Sequence, residues 1–182
     1  FDFDQPCDLK AKLQARGFMI EDQEALMVVD LSDGNQLLNI PVNPEIKRIT
    51  DEQGISDIVM LEDEVWGVSH HELGLRLIQD LHDEAVQLNV YAAYVGGRAV
   101  SAAWMYLHEG TPFASLWGGS TLPEFRKRGI YSSLLGIRSQ DAAAGGYQLV
   151  MVDASAMSQP ILEKYGFHCL ARSTPCMSPT FE

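Results

Sequence analysis

The residues best suited to chemistry lie together in Leu116–Tyr131, LWGGSTLPEFRKRGIY. Arg126, Lys127 and Arg128 put three positive charges beside Gly129, where the pattern predicts the start of a helix. The first N–H groups of a helix have no partner inside it, and the macrodipole is positive at that end. Gly129 lets an anion approach the backbone closely. In a chain of net charge −12, such a cluster suits a phosphate group. The plainer alternative is a solvated basic turn. Gly118 and Gly119 stand in the apolar stretch before it. Glycines inside a strand mark a bulge or a close approach of another backbone, although a packing bulge without any ligand gives the same signal.

A second concentration of ionisable groups lies upstream. Between Asp51 and Glu84 there are ten acidic residues and one basic residue, Arg76. An acidic rim attracts cations, and solvated helix faces are the ordinary alternative. Glu62, Asp63 and Glu64 precede Trp66, an aromatic able to wall a pocket, and Glu64 is the candidate base. His70 and His71 stand side by side, but without metal-ligand spacing they read as a cap or surface pair. His82 reads as an ion-pair partner of neighbouring carboxylates, and His108 stands at a strand end with no evident partner. No metal site is expected.

These groups need elements to position them. Residues 8–17 read as a short helix, with Asp8 as cap and Gly17 as stop. Phe18–Leu31 reads as strand, Asp33-Gly34 as a turn, and a second strand is expected after it. Pro41 and Pro44 mark a candidate boundary, giving a segment 1–44 and a main domain 45–182. Glu45–Ile49 is a short strand. Thr50 and Gln53 have the spacing of a capping box, opening a helix that carries Ile55, Ile58, Val59, Glu62 and Trp66. A second helix runs from about His70 to Glu84, with Leu73, Leu77 and Leu81 on one face. Val90–Val95, Ala99–His108 and Phe113–Thr121 form an antiparallel meander. A helix from Arg126 to about Ala144 then leads to Tyr147–Val152, an apolar run suited to burial on both faces. Strand, helix and strand make a right-handed parallel crossover. A last helix, Ser158–Tyr165, ends at Gly166 before the strand Phe167–Arg172. The class is α+β.

Composition excludes other classes. With 182 residues, 46% hydrophobic and 21% charged, the chain suits a globular core and not disorder. No apolar run approaches the roughly 18 residues of a membrane span. The net charge disfavours nucleic acid and anionic membranes as partners. Cys7, Cys169 and Cys176 have no CxxC spacing, and their odd count points to a reducing compartment, the cytoplasm. Asp2, Asp4 and Asp8 oppose a signal peptide. The chain opens on Phe1 and not Met, as expected of a fragment or processed form.

The loop resembles the coenzyme A loop of the GCN5-related N-acetyltransferases, whose signature is Arg/Gln-x-x-Gly-x-Gly/Ala. Arg126 and Gly129 match, while Tyr131 replaces the small residue. Pro160-Ile161-Leu162-Glu163-Lys164-Tyr165-Gly166-Phe167 resembles the family's helix ending in Gly-Phe, and the element order from Glu45 onward fits. The resemblance implies a mixed, mostly antiparallel twisted sheet with a splayed central parallel pair and helices on both faces. It implies acetyl transfer from acetyl-CoA to a primary amine, of a small or cationic molecule or a peptide, by direct attack. No nucleic acid, membrane or metal is implied, and homodimerisation is left open. The cofactor contacts implied are Thr121, Leu122, Arg126, Lys127, Arg128, Gly129, Ile130, Tyr131 and Ser155. Backbone of about Arg128–Tyr131 would hold the pyrophosphate, and Gly119–Leu122 would pair with the pantetheine arm. The Gly119 N–H would polarise the thioester carbonyl. Two customary proton-transfer groups are replaced, the tyrosine acid by Leu162 and the central-strand glutamate by Ser115. Tyr165 reads as a core aromatic. These departures favour an alternative, an acyl-CoA-binding sensor or interaction module without catalysis. LQARGF at 13–18 echoes EKYGF at 163–167, so residues 1–44 read as an N-terminal extension or as a reduced second copy of the unit.

Overall fold

The computed structural model describes residues 1–32 and 34–179. In chain order the elements are α1 (Leu9–Gln14), β1 (Met19–Ile20), β2 (Glu24–Asp30), β3 (Ile46–Ile49), α2 (Glu52–Trp66), α3 (His71–His82), β4 (Gln87–Val95), β5 (Arg98–Leu107), β6 (Phe113–Thr121), α4 (Ile130–Ala144), β7 (Leu149–Ala154), α5 (Gln159–Lys164), β8 (His168–Ser173) and β9 (Cys176–Met177). Short 3-10 turns occupy Gln36–Asn39 and Pro123–Phe125. The fold is α+β, with a mostly antiparallel sheet that contains one parallel pair, β6 and β7. The turn expected at Asp33-Gly34 falls partly outside the described residues. Among those residues, no helix is long and apolar enough to cross a membrane.

Contacts divide the chain into two units, 1–29 with 151–182, and 30–150. Residues 35–41 belong with α4. Gln140 donates to the Ile40 carbonyl at 2.8 Å, and Ser133 Oγ donates to the Pro41 carbonyl at 3.1 Å.

In the larger unit the strand order is β3-β4-β5-β6, all antiparallel neighbours. Helices cover both faces of it. Tyr91 of β4 pairs across with Ala103, while Tyr106 of β5 pairs with Leu88. Positions 103 and 106 point to opposite faces because side chains alternate along a strand. Tyr91 donates to Asp141 on α4, and Tyr106 donates to Asp80 on α3. The core beneath α2 and α3 includes Ile55, Ile58, Leu61 and Leu77, all buried, packed with Val90 and Trp104. In the smaller unit the order is β7-β2-β8, with β2 and β8 antiparallel and β1 paired with β9.

Local chemistry moved several boundaries. The cap of α2 is Asp51 and not Thr50: its Oδ1 accepts from the Gly54 N–H at 2.8 Å. Helix α4 starts at Ile130, four residues later than expected. Pro123 opens a 3-10 turn, Arg126 is extended, and Lys127 and Gly129 adopt φ of +60° and +78°. On β7 only Val150 and Ala154 are buried, fewer than the apolar run suggested.

Candidate functional site

The site is built on β6, the loop after it and α4. In the β5–β6 register, Ala102 faces Ser120 and Ala103 faces Gly118, so Gly119 is an extra residue without a cross-strand partner. Two local contacts explain why both positions are glycine. A Cβ on Gly118, at φ +68°, would lie 2.4 Å from the Trp104 ring. A Cβ on Gly119, at φ +102°, would lie 3.1 Å from the Tyr131 ring of α4. The bulge thus packs tightly and also re-aims the strand.

Beyond the bulge the chain turns into the basic loop. Thr121 is buried, with its hydroxyl 2.7 Å from that of Ser101, and its carbonyl accepts from Arg126 Nε at 3.0 Å. Leu122 is buried and its N–H donates to the Val100 carbonyl at 3.0 Å. Arg126, Lys127, Arg128 and Gly129 are exposed. The Arg128 guanidinium lies 4.8 Å from the Phe125 ring centre. No side chain caps α4, so the N–H groups of Ile130 and Tyr131 stand at an open, positive helix end. Ile130 is buried and Tyr131 half-buried. Burial raises the Tyr131 phenol above its ordinary range, partly opposed by Arg138.

Arg138 was not anticipated. It is 2% exposed on α4. Its Nε donates to the Leu134 carbonyl at 2.9 Å, and its Nη1 donates to the carbonyls of Trp104 and Trp117 at 3.2 Å each. Burial lowers it to about 10. One guanidinium thus joins α4 to both strands flanking the bulge. The only sequence signal was an arginine among apolar helix positions.

On the other face of β6 stands a carboxylate that sequence reasoning had grouped with its neighbours. Glu62 of α2 is 3% exposed. Its Oε2 accepts from Ser120 Oγ at 2.6 Å and from Trp66 Nε1 at 2.9 Å. Among the described residues its Oε1 is buried with no hydrogen-bond partner. Burial pushes its carboxyl up, more than the bonds from Ser120 and Trp66 and the nearby His70 pull it down. Glu64, the expected base, is exposed and ion-paired with Arg98.

His108, expected to have no partner, has one. Its Nε2 lies 2.8 Å from Ser115 Oγ, which also accepts from Trp117 Nε1 at 2.9 Å. His70 Nδ1 lies 3.2 Å from Asp63, and His82 lies 3.5 Å from Glu52. In the smaller unit, Ser155 Oγ lies 3.2 Å from Ser158 Oγ, Leu162 is buried, and Tyr165 is half-buried. Among the described residues, no group of three His, Cys, Asp or Glu side chains is placed to hold a metal ion.

No family model matches the chain, and no curated protein does. Solved structures do. The chain has the fold of the GCN5-related N-acetyltransferases. Among the similar structures is a GCN5-related N-acetyltransferase of Kribbella flavida, at 15% identity and a TM-score of 0.64, matched over 96% of this chain and 65% of that one. Another is a predicted acetyltransferase with acetyl-CoA from Clostridium acetobutylicum, at 19% identity and a TM-score of 0.59, over 68% and 88%. A third is an aminoglycoside acetyltransferase from an uncultured soil metagenomic sample in complex with sisomicin, at 18% and 0.54, over 65% and 82%. The chain spans 65% of the Kribbella protein's length.

Proposed function

We propose that this chain is an N-acetyltransferase that moves the acetyl group of acetyl-CoA onto a primary amine by direct attack in a ternary complex. The observation that carries the reading is the uncapped N-terminus of α4, opened by Gly129 at φ +78° and flanked by exposed Arg126, Lys127 and Arg128. It follows a glycine bulge in the preceding strand. A pyrophosphate at this helix end would accept from the N–H groups of about Arg128–Tyr131, and the arginines would add charge-assisted bonds. Backbone of Gly119–Thr121 would meet the pantetheine arm. The Gly119 N–H would donate to the thioester oxygen and stabilise the charge that develops there on attack. A thiolate with a reference pKa of about 8.5 leaves near neutral pH with little help from an acid, which suits a chain with Leu162 at the position of the tyrosine.

The acidic α2–α3 region favours a cationic acceptor, and the likeness to an aminoglycoside acetyltransferase supports the same choice. Glu64, exposed and ion-paired with Arg98, is not given the part of base. One observation favours a sensor instead: Ser115, at the place of the family's glutamate, is engaged by His108 and Trp117. Acetyl-CoA turnover with spermidine, kanamycin, tryptamine, free lysine and glutamate separates the two. Acetylation of the polyamine or aminoglycoside ahead of glutamate supports the reading. Binding of acetyl-CoA with no amine acetylated gives the sensor.

A further inference from the structure

We infer that Ser120 and Glu62 form a proton relay: Ser120 Oγ receives a proton from the acceptor's ammonium while passing its own to Glu62. The inference rests on the acetyltransferase reading and names the group that frees the amine.

The hydrogen bonds fix the direction. A hydroxyl has one donor and two acceptor positions. The Ser120 O–H is directed at Glu62 Oε2, 2.6 Å away, and one lone pair shares the single Trp66 Nε1–H, 3.1 Å away, with that carboxylate. One acceptor position is left, and a carboxylate already lies on the donor side. A cationic N–H is the partner that fits it. Ser120 follows Gly119, the extra residue of the bulge, so an amine on Ser120 stands beside the proposed site of the acyl carbonyl.

The surroundings select the same chemistry. Ser120, Trp117 and Ser115 pair across from Ala102, Trp104 and Tyr106, alternate positions that share one face of β5. On that face Trp117 and Trp66 are 47% and 58% exposed, and exposed indoles attract ammonium groups. The charged groups around Glu62 are Asp63 on its own helix and His70 at the start of α3, paired with each other. Arg98, on β5, is held by Glu64. Among the described residues, no cation is bonded to Glu62.

The step balances. An ammonium N–H bond breaks and its proton bonds to Ser120 Oγ. The Ser120 proton bonds to Glu62 Oε2, and the carboxylate becomes a carboxylic acid. The nitrogen lone pair attacks the thioester carbon, the C–S bond breaks with its electron pair leaving on the thiolate, and the second proton that the nitrogen sheds as the amide forms bonds to that sulfur. The proton on Glu62 then passes to solvent, restoring the carboxylate. Burial narrows the gap between donor and acceptor, lowering an ammonium and raising a carboxyl, and Glu62 is raised. The Ser115–His108 pair is the rival. It lies about 10–13 Å along the strand from Gly119 at about 3.3 Å per residue, too far to touch the same nitrogen.

The test compares wild type, Glu62→Gln, Ser120→Ala and His108→Gln. Calorimetry reads acetyl-CoA affinity, and kcat/KM with spermidine and kanamycin is followed from pH 5 to 9. In wild type the rate falls on the acid side, with a midpoint above the ordinary carboxylate range. Glu62→Gln removes that limb and lowers kcat by about 10²–10⁴-fold, the usual worth of a positioned base, with coenzyme affinity unchanged. Ser120→Ala loses rate similarly, so the test stands if one variant fails to fold. His108→Gln keeps the limb. An acid limb that survives both Glu62→Gln and Ser120→Ala overturns the relay alone, and loss of the limb in His108→Gln transfers the role to Ser115. Acetyl-CoA binding by wild type without acetylation of any of the five amines above overturns the acetyltransferase reading, and the relay with it.

Discussion

Replacing Gly118 by alanine measures how tightly the bulge is built. Gly118 has φ +68°, and an added Cβ would lie 2.4 Å from Trp104 Cζ3 and 2.7 Å from Cε3. Trp104 is 4% exposed, and the carbonyl of the same residue is held by Arg138 at 3.2 Å, so neither ring nor strand gives way freely. The left-handed backbone costs an alanine about 1–2 kcal/mol, and forcing a methyl into a packed core costs about 1–3 kcal/mol. Together the loss is about 2–5 kcal/mol. For a chain of this size, each kcal/mol lowers Tm by about 2–4 °C, so Tm should fall by about 4–20 °C. Gly129→Ala is the control. It has φ +78° but nothing within 4 Å of the added Cβ, so only the backbone cost of about 1–2 kcal/mol applies. Thermal unfolding of both variants by circular dichroism, at one pH and scan rate, gives the comparison. A Gly118→Ala protein no less stable than Gly129→Ala would refute the close packing of Trp104 on the bulge.

Two further outcomes follow from buried and capping carboxylates. Glu62 is raised above its ordinary 4.5, so between that value and its folded-state value the native chain binds more protons than the unfolded one. Stability therefore falls as pH rises through that window. Glu62→Gln should raise Tm at pH 7–8 and leave it nearly unchanged at pH 4, and an equal shift at both would contradict the titration. Asp51→Ala removes the cap on Gly54 and should cost about 0.5–2 kcal/mol in urea unfolding, whereas Thr50→Ala should cost less; the reverse order would restore the capping box.

Much of this was legible because it depends on local pattern. The meander β4–β6 and the leucines of α3 follow periodicities of two and of about 3.6 residues, and the basic loop is a contiguous run of charge. Features made by distant residues were not legible. Glu62, Asp63 and Glu64 are neighbours of one chemistry, and only the approach of β6 decides which is buried: Glu62 meets Ser120 and Glu64 meets Arg98. His108 finds Ser115 across a turn, and Arg138 finds two strand carbonyls. Each pairing joins groups that no spacing rule connects. Ile40 and Pro41 accept hydrogen bonds from α4, contacts that the prolines at 41 and 44 do not announce. The N–H of Leu122, next to the phosphate turn, extends the β5–β6 pairing to Val100, a contact between strands that no local pattern announces.

The most direct test of the central claim is calorimetric titration of acetyl-CoA into the wild-type chain and into Gly129→Glu. The Gly129 position is open, so the variant should fold while placing bulk and negative charge where the pyrophosphate is proposed to sit. Wild type should bind, more weakly as salt rises because exposed charges on the loop are screened, and Gly129→Glu should not bind. No binding by wild type at millimolar acetyl-CoA, or equal affinity in Gly129→Glu, would contradict a coenzyme site at the start of α4.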